Sequence, residues 1–476
     1  MAGRLAAQRV WRYETRQLSL SKFRRPLHCV SGTRSNTGNN PLSLAQKRIR
    51  VRVFDRHQRE RQQQHLLQPH LSLLIGLRRR DLFTWAASIP TVLIPPAIFL
   101  GLLLSLWTWK CFWIVILQDK LLYLSWLPPL SRSEKIEDYA REFRGVQWSE
   151  IFITSSDGTK LAVCEGRLPA PVRRDRSVQG NKKKKVRVVI CYFQGNGGST
   201  PLRLPLLSLV MKSIEESSSS SSSHATGRDD FEFEYEYIIA ALSYRGYWKS
   251  SGRATQRGIE GDAAAFLNWV YDAYRSEHDD LRVVLWGHSL GAAVASSALV
   301  SRVTATNTSG SPSTTDTSMD TKPETRLTGA KEEKIAGLIL EAPISSIKDM
   351  LVALYPQKWL PYRYLHPFSW NHWDVALNLE HLAQHQHRYQ KNQCQESIPG
   401  NGSWSRRVPP ILLLSAENDE VIPLWVADQL EHRGRDLGLE IVRVNVKGAM
   451  HIEAPLKGDG RTALVGFIRR IVGDRS

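Results

Sequence analysis

Leu281-Arg282-Val283-Val284-Leu285-Trp286-Gly287-His288-Ser289-Leu290-Gly291 decides the fold. An apolar run leads into Gly-x-Ser-x-Gly, and an alanine-rich stretch, residues 292–300, follows. Strand, sharp bend and helix with a serine at the bend is the nucleophile-elbow arrangement. The serine needs a strained backbone angle that lifts its hydroxyl above the sheet. Glycines two positions either side let strand and helix pass closely.

A serine hydroxyl is a weak nucleophile until an imidazole, itself oriented by a carboxylate, takes its proton. On this fold the acid and then the histidine follow the serine, each on a loop after a strand. Pro410-Ile411-Leu412-Leu413-Leu414-Ser415 reads as a buried strand and leads into Ala416-Glu417-Asn418-Asp419-Glu420-Val421-Ile422-Pro423. Asp419 is the expected acid because it stands at the turn before Val-Ile-Pro. Glu417 and Glu420 are expected to be solvated or to cap the next helix. The last strand, residues 440–446, is followed by Lys447-Gly448-Ala449-Met450-His451, which makes His451 the expected base.

Two amides are needed to hold a developing oxyanion. One belongs to Leu290, directly after the nucleophile. The other is expected from Gln194-Gly195-Asn196-Gly197-Gly198-Ser199, after an apolar strand over residues 186–193; the backbone amide of Asn196 is the candidate. That loop lacks the Lys-Ser/Thr pair of a phosphate cradle. His288 is expected to pack beneath the elbow. The histidine clusters of residues 366–372 and 381–387 lack carboxylates or cysteines at ligand spacing, so no metal and no cofactor are expected.

The chain resembles the α/β-hydrolase-domain serine lipases, in particular their membrane-anchored monoacylglycerol and lysophosphatidylserine lipase branch. Tyr192-Phe193-Gln194-Gly195-Asn196-Gly197-Gly198 is similar to the family's Tyr-Phe-His-Gly-Asn-x-Gly loop. Tyr244-Arg245-Gly246-Tyr247 with Ser250-Ser251-Gly252 resembles its Tyr-Arg-Gly-Tyr-Gly-x-Ser-x-Gly stretch. Leu340-Glu341-Ala342-Pro343 and Asp419-Glu420-Val421-Ile422-Pro423 match in order too. Gln194 stands where the family has histidine and Trp248 where it has glycine. The likeness covers residues 148–472. It implies an α/β-hydrolase fold with a cap insertion and an ester of a lysophospholipid or monoacylglycerol as substrate. The same triad also serves peptidases and thioesterases, and a retired scaffold that only binds membranes is a further alternative.

Alternating apolar strands and helices independently predict a doubly wound, mostly parallel sheet. A hairpin around Asp157-Gly158 opens it. A helix is expected over residues 202–216, a strand over 237–243, a helix over 258–274 with Asp262 on its exposed side, and a strand over 335–340. The four lysines of the charged loop 173–185 are read as solvated. Polar inserts at about residues 217–230 and 304–334 cannot bury apolar surface. A cap over about residues 344–407 carries Trp359, Tyr362, Tyr364, Phe368, Trp370 and Trp373.

Charge is concentrated in one place. Residues 1–80 hold eighteen Lys and Arg against Glu14, Asp55 and Glu60, so this tail supplies +15 of the chain's net +18. No recognition helix or aromatic-interleaved motif accompanies it, which argues against nucleic acid and for an anionic membrane surface. Residues 82–117 follow, uncharged apart from Lys110, and residues 89–109 fit a membrane span. Trp107, Trp109, Trp113, Tyr123 and Trp126 form an expected aromatic belt. Arg78-Arg79-Arg80 would keep the tail cytosolic, so a single pass puts the hydrolase domain, residues 148–476, in the lumen of the endoplasmic reticulum or outside. The sequons at Asn307 and Asn401 agree. The Arg- and Ser-rich residues 1–54 leave a mitochondrial membrane as the alternative. A second pass over residues 111–130 is disfavoured by Lys110, Asp119 and Lys120. Residues 118–147 read as a juxtamembrane linker. Five cysteines, at positions 29, 111, 164, 191 and 394, form no paired spacing, which argues against a disulfide framework.

Overall fold

The computed structural model describes residues 90–169, 184–221, 233–276, 279–305, 335–395 and 408–473. The basic tail, most of the charged loop 173–185, both sequons and nearly all of the insert at 304–334 lie outside the described residues.

Eight strands, β1 (Gln147–Thr154), β2 (Lys160–Arg167), β3 (Lys184–Phe193), β4 (Phe233–Leu242), β5 (Asp280–His288), β6 (Ile335–Glu341), β7 (Ile411–Ala416) and β8 (Ile441–Val446), form one sheet. Their order is β1-β2-β4-β3-β5-β6-β7-β8. β2 pairs antiparallel with β1 and β4, and every later pair is parallel. This is the expected α/β-hydrolase sheet. The opening hairpin turns at Gly158, whose φ of 81° suits a residue without a side chain.

Side chains alternate between two cores. Val189, Cys191 and Phe193 of β3 face helices α4 (Gln256–Tyr274) and α5 (Leu290–Ala305), while Val188, Ile190 and Tyr192 face α3 (Leu204–Ser221) and α9 (Gly458–Gly473). Apolar runs are therefore needed on both strand faces, and the parallel strands read as near-continuous hydrophobic stretches. α4 begins at Thr255, whose side chain accepts from the Gly258 N–H. Cys164 and Cys191 are buried, and Cys111 is half-buried.

Several expectations are corrected. Asp262 is fully buried rather than exposed. Its carboxylate receives the Arg245 guanidinium at 2.7 Å and the Arg245 N–H at 2.9 Å, and Asp157 binds the same guanidinium at 2.7 Å. The start of the serine run, assigned to an insert, is helical: α3 continues through Ser221. Ser217 and Ser218 donate back to the Ile214 carbonyl, which gives their hydroxyls a partner inside the helix.

An apolar helix, α1 (Ile94–Ile116), is preceded by a short turn from Thr91. Thr91–Ile116 is long and apolar enough to cross a membrane. At 1.5 Å per residue it extends about 39 Å, more than a hydrocarbon core of about 30 Å. It ends seven residues later than expected, carrying Lys110 inside it. Pro95 and Pro96 sit in its first turn, where missing N–H groups leave no bond broken. A short helix α2 (Gln118–Leu122) follows. The segment read as linker is packed onto the catalytic body: Leu122, Tyr123, Ile136, Phe143 and Val146 are buried. Tyr123 thus leaves the expected aromatic belt. Its hydroxyl donates to Asn371 at 2.7 Å and accepts from the Trp373 indole at 2.9 Å.

The cap comprises α6 (Ile347–Leu354), two short turns and α7 (Val375–Gln395). The six aromatics singled out in the sequence divide. Tyr362 and Trp373 are buried, whereas Trp359, Tyr364, Phe368 and Trp370 are exposed.

Candidate functional site

β5 delivers Ser289 to the end of the sheet, and α5 starts at the next residue. Ser289 has φ 54°, the left-handed angle that the elbow requires, and it is buried. The flanking glycines are sterically enforced. A Cβ on Gly291 would lie 2.0 Å from the Phe193 carbonyl oxygen, and one on Gly287 would lie 2.2 Å from the Gly291 oxygen. The Ser289 N–H donates to the Glu341 carbonyl at 2.8 Å, tying the bend to the end of β6.

Asp419 and His451, 32 residues apart, meet on the loops after β7 and β8. The His451 Nδ1 lies 2.8 Å from one carboxylate oxygen of Asp419 and 3.0 Å from the other. That contact assigns the proton to Nδ1 and leaves Nε2 as the basic nitrogen. Asp419 is held by the N–H groups of Val421 and Ile422, at 2.9 and 2.7 Å. Both side chains are largely shielded from water. The Ser289 hydroxyl and the His451 ring are not hydrogen-bonded to each other, although the neighbouring His288 ring lies 5.0 Å from that of His451.

Glu417 and Glu420 are exposed, as expected, and each also bonds to the histidine loop. Glu417 accepts from the Gly448 N–H at 2.7 Å and Glu420 from the His451 N–H at 3.0 Å. All three acids of this loop therefore act on the histidine loop, Asp419 through the ring and the other two through its backbone. Their closeness to Asp419 in sequence was the available signal.

His288 is buried at the elbow. Its Nε2 is 3.3 Å from the His451 carbonyl oxygen. Burial pushes its pKa well below the ordinary imidazole range, so the ring is neutral and Nε2 carries the proton that donates. Glu341 is buried beside the elbow with its carboxyl accepting from the Trp286 indole at 2.8 Å. Burial raises its pKa to about 8, against the lowering effect of that hydrogen bond, so it is protonated at neutral pH.

The loop after β3 abuts the elbow: a Cβ on Gly195 would lie 3.0 Å from His288 Nδ1 and 3.5 Å from Ser289 Cβ. Tyr244 donates to the Gln194 carbonyl at 2.8 Å, and Tyr247 and the Leu124 N–H both donate to the Asn196 carbonyl at 2.9 Å. The two tyrosine pins come from the Tyr-Arg-Gly-Tyr stretch, whose role the sequence left unassigned. Leu290, as the first residue of α5, has an N–H with no carbonyl one turn earlier in the helix to bind.

The two departures from the family pattern are explained in part. Gln194 accepts from Thr200 at 2.9 Å and leaves its Nε2 buried without a partner. Trp248 occupies a glycine-like backbone with φ 40°, and its indole donates to the Glu134 carbonyl at 2.8 Å. Among the described residues no three His, Cys, Asp or Glu side chains converge as a metal site requires.

Sheet order, elbow and trailing acid and histidine loops together define the α/β-hydrolase class. Residues 223–459 match the alpha/beta hydrolase family. It is 28% identical over 247 residues to the alpha/beta hydrolase domain-containing protein WAV2 of Arabidopsis thaliana, covering 52% of this chain and 58% of that protein. It is 25% identical over 194 residues to the lysophosphatidylserine lipase ABHD12 of Danio rerio, covering 41% of this chain and 38% of that protein. An uncharacterized protein of Mycobacterium tuberculosis is 36% identical over 234 residues, covering 49% and 59%. The chain thus spans between about two fifths and three fifths of these relatives' lengths.

Proposed function

We propose that the protein is a membrane-anchored serine hydrolase that cleaves carboxylic esters of lipids. The observation that carries this reading is the two-oxygen contact between Asp419 and His451, on loops that follow neighbouring strands, beside an elbow that holds Ser289 at φ 54°. In the proposed cycle Ser289 attacks the acyl carbonyl and His451 Nε2 accepts its proton. The amides of Leu290 and Asn196 hold the oxyanion. Asp419 stabilises the imidazolium, which then protonates the leaving alcohol. Water, activated by His451, attacks the acyl-serine and releases the fatty acid. The hydrogen bond missing between Ser289 and His451 is of the kind that tightens on substrate binding. The likeness to a lysophosphatidylserine lipase supports a lysophospholipid or monoacylglycerol substrate.

Thr91–Ile116 supports a single-pass anchor. With Arg78-Arg79-Arg80 before it, the positive-inside rule favours a cytosolic tail and a catalytic domain in the lumen of the endoplasmic reticulum.

One experiment tests activity and orientation together. A membrane-impermeant fluorophosphonate added to sealed microsomes is expected to label the protein only after permeabilisation, and Ser289→Ala should remove that labelling. Folded wild-type protein that stays unlabelled in permeabilised membranes refutes the hydrolase reading. Labelling of sealed vesicles refutes the lumenal orientation alone.

A further inference from the structure

Residues 350–373 contain no Asp or Glu but carry Lys358, Arg363, His366 and His372 among the cap aromatics. Trp359 is 66% exposed, Phe368 63%, Tyr364 54% and Trp370 51%. Large aromatics with basic residues and without acids are poorly suited to bulk water and well suited to the headgroup region of an anionic bilayer. There the rings enter the acyl boundary and the cations meet lipid phosphates and carboxylates.

A second, independent observation is a polar clamp on this segment. Gln118, two residues beyond the end of α1, accepts from the Trp370 N–H at 2.9 Å and from the Ser369 hydroxyl at 3.1 Å. Asp119 accepts from the Trp370 indole and from the Asn371 amide, each at 2.9 Å. Two residues of chain separate Cα atoms by at most about 7.6 Å. A helix that crosses the hydrocarbon core ends at the headgroup layer, so the part of the cap bonded to Gln118 and Asp119 is brought to that layer too.

We infer that the exposed aromatic and basic face of the cap, around Trp359, Tyr364, Phe368 and Trp370, docks into the same lipid interface in which the anchor ends. The occupant is the bilayer surface, and the inference rests on the anchor proposed above. Docking would place the catalytic domain where lipid substrates leave the membrane, so their acyl chains need not cross water.

The test uses full-length protein with Cys29, Cys111 and Cys394 changed to Ser, reconstituted in phosphatidylcholine–phosphatidylserine vesicles. Nitroxide labels are placed by Phe368→Cys and, separately, Trp359→Cys. Leu104→Cys reports on the anchor and Thr462→Cys on bulk water. Oxygen and a water-soluble nickel chelate serve as relaxing agents. Both cap labels are expected to be at least tenfold less accessible to the chelate than the Thr462 label while remaining accessible to oxygen. If the Leu104 label is shielded but the cap labels behave like that at Thr462, docking is overturned and the anchor stands. If the chelate reaches the Leu104 label as well, the anchor reading fails and takes docking with it. Cap labels shielded from both agents would mean burial against a second copy of the chain, which also overturns lipid docking.

Discussion

Trp286 and Trp359 are the same side chain in opposite settings. Trp286, in the middle of the sheet, is sealed from water, packs edge-on against Tyr192 with ring centroids 5.2 Å apart, and gives its indole proton to Glu341. Trp359, in the cap, leaves most of its surface uncovered. A ring in the sheet contributes by being surrounded, through burial of area and by edge-to-face contact. Trp359 keeps 66% of its surface open, so only a small part of its area contributes in that way within the folded chain. The contrast separates residues that hold the reacting groups in place from residues that present the molecule to its surroundings.

Substitutions can break or sharpen that contrast. The largest effect is expected at the elbow. Gly291→Ala drives a Cβ into the Phe193 carbonyl, backbone against backbone with no flexible side chain to yield. A loss above about 4 kcal/mol is expected in denaturant unfolding, since overpacking of this severity belongs to the extreme of single substitutions. A folded protein of near wild-type stability would show that strand and helix can separate.

An intermediate effect is expected at Glu341. Its folded pKa of about 8 lies above the ordinary carboxyl value, so the folded state keeps a proton that the unfolded chain releases. The stabilisation is complete below the unfolded pKa and is lost as pH rises to about 8. Within that window the slope is about 1.4 kcal/mol per pH unit. Glu341→Gln keeps a neutral group in place and should abolish this share of the decline, read as the difference between wild-type and variant unfolding from pH 5 to pH 9. Parallel curves would mean that the carboxyl ionises freely.

The smallest effect is expected on the cap. Trp359→Ser should shift unfolding by no more than about 0.5 kcal/mol, as for exposed positions in general. A drop of several kcal/mol would make Trp359 a core residue and erase the distinction.

The same division governs what could be read from the sequence. β5, β7 and the elbow were legible because a strand buried on both faces is written as an unbroken apolar run, and because the bend admits only glycine at positions 287 and 291. Asp419 and His451 followed from their places after strands. Asp262 was misjudged because its burial depends on Arg245, 17 residues away on another element, and no helical periodicity reports such a partner. The bonds from the exposed Glu417 and Glu420 to the histidine loop were hidden for a related reason. A carboxylate that holds a backbone N–H on a neighbouring loop has the same local sequence as one in water. Tyr123 read as part of a membrane belt until Asn371 and Trp373, some 250 residues on, claimed its hydroxyl.

The chain separation within the site has a consequence for biosynthesis. His288, beside the proposed nucleophile, and His451 stand 163 residues apart. A chain emerging from the ribosome therefore finishes its elbow long before the proposed base exists, and β6, β7 and β8 must all be added before the two loops can meet. At synthesis rates of about 5–20 residues per second, that interval lasts from about 8 to 30 seconds. Throughout it, a nascent hydrolase threaded beside a lipid bilayer would stay chemically silent.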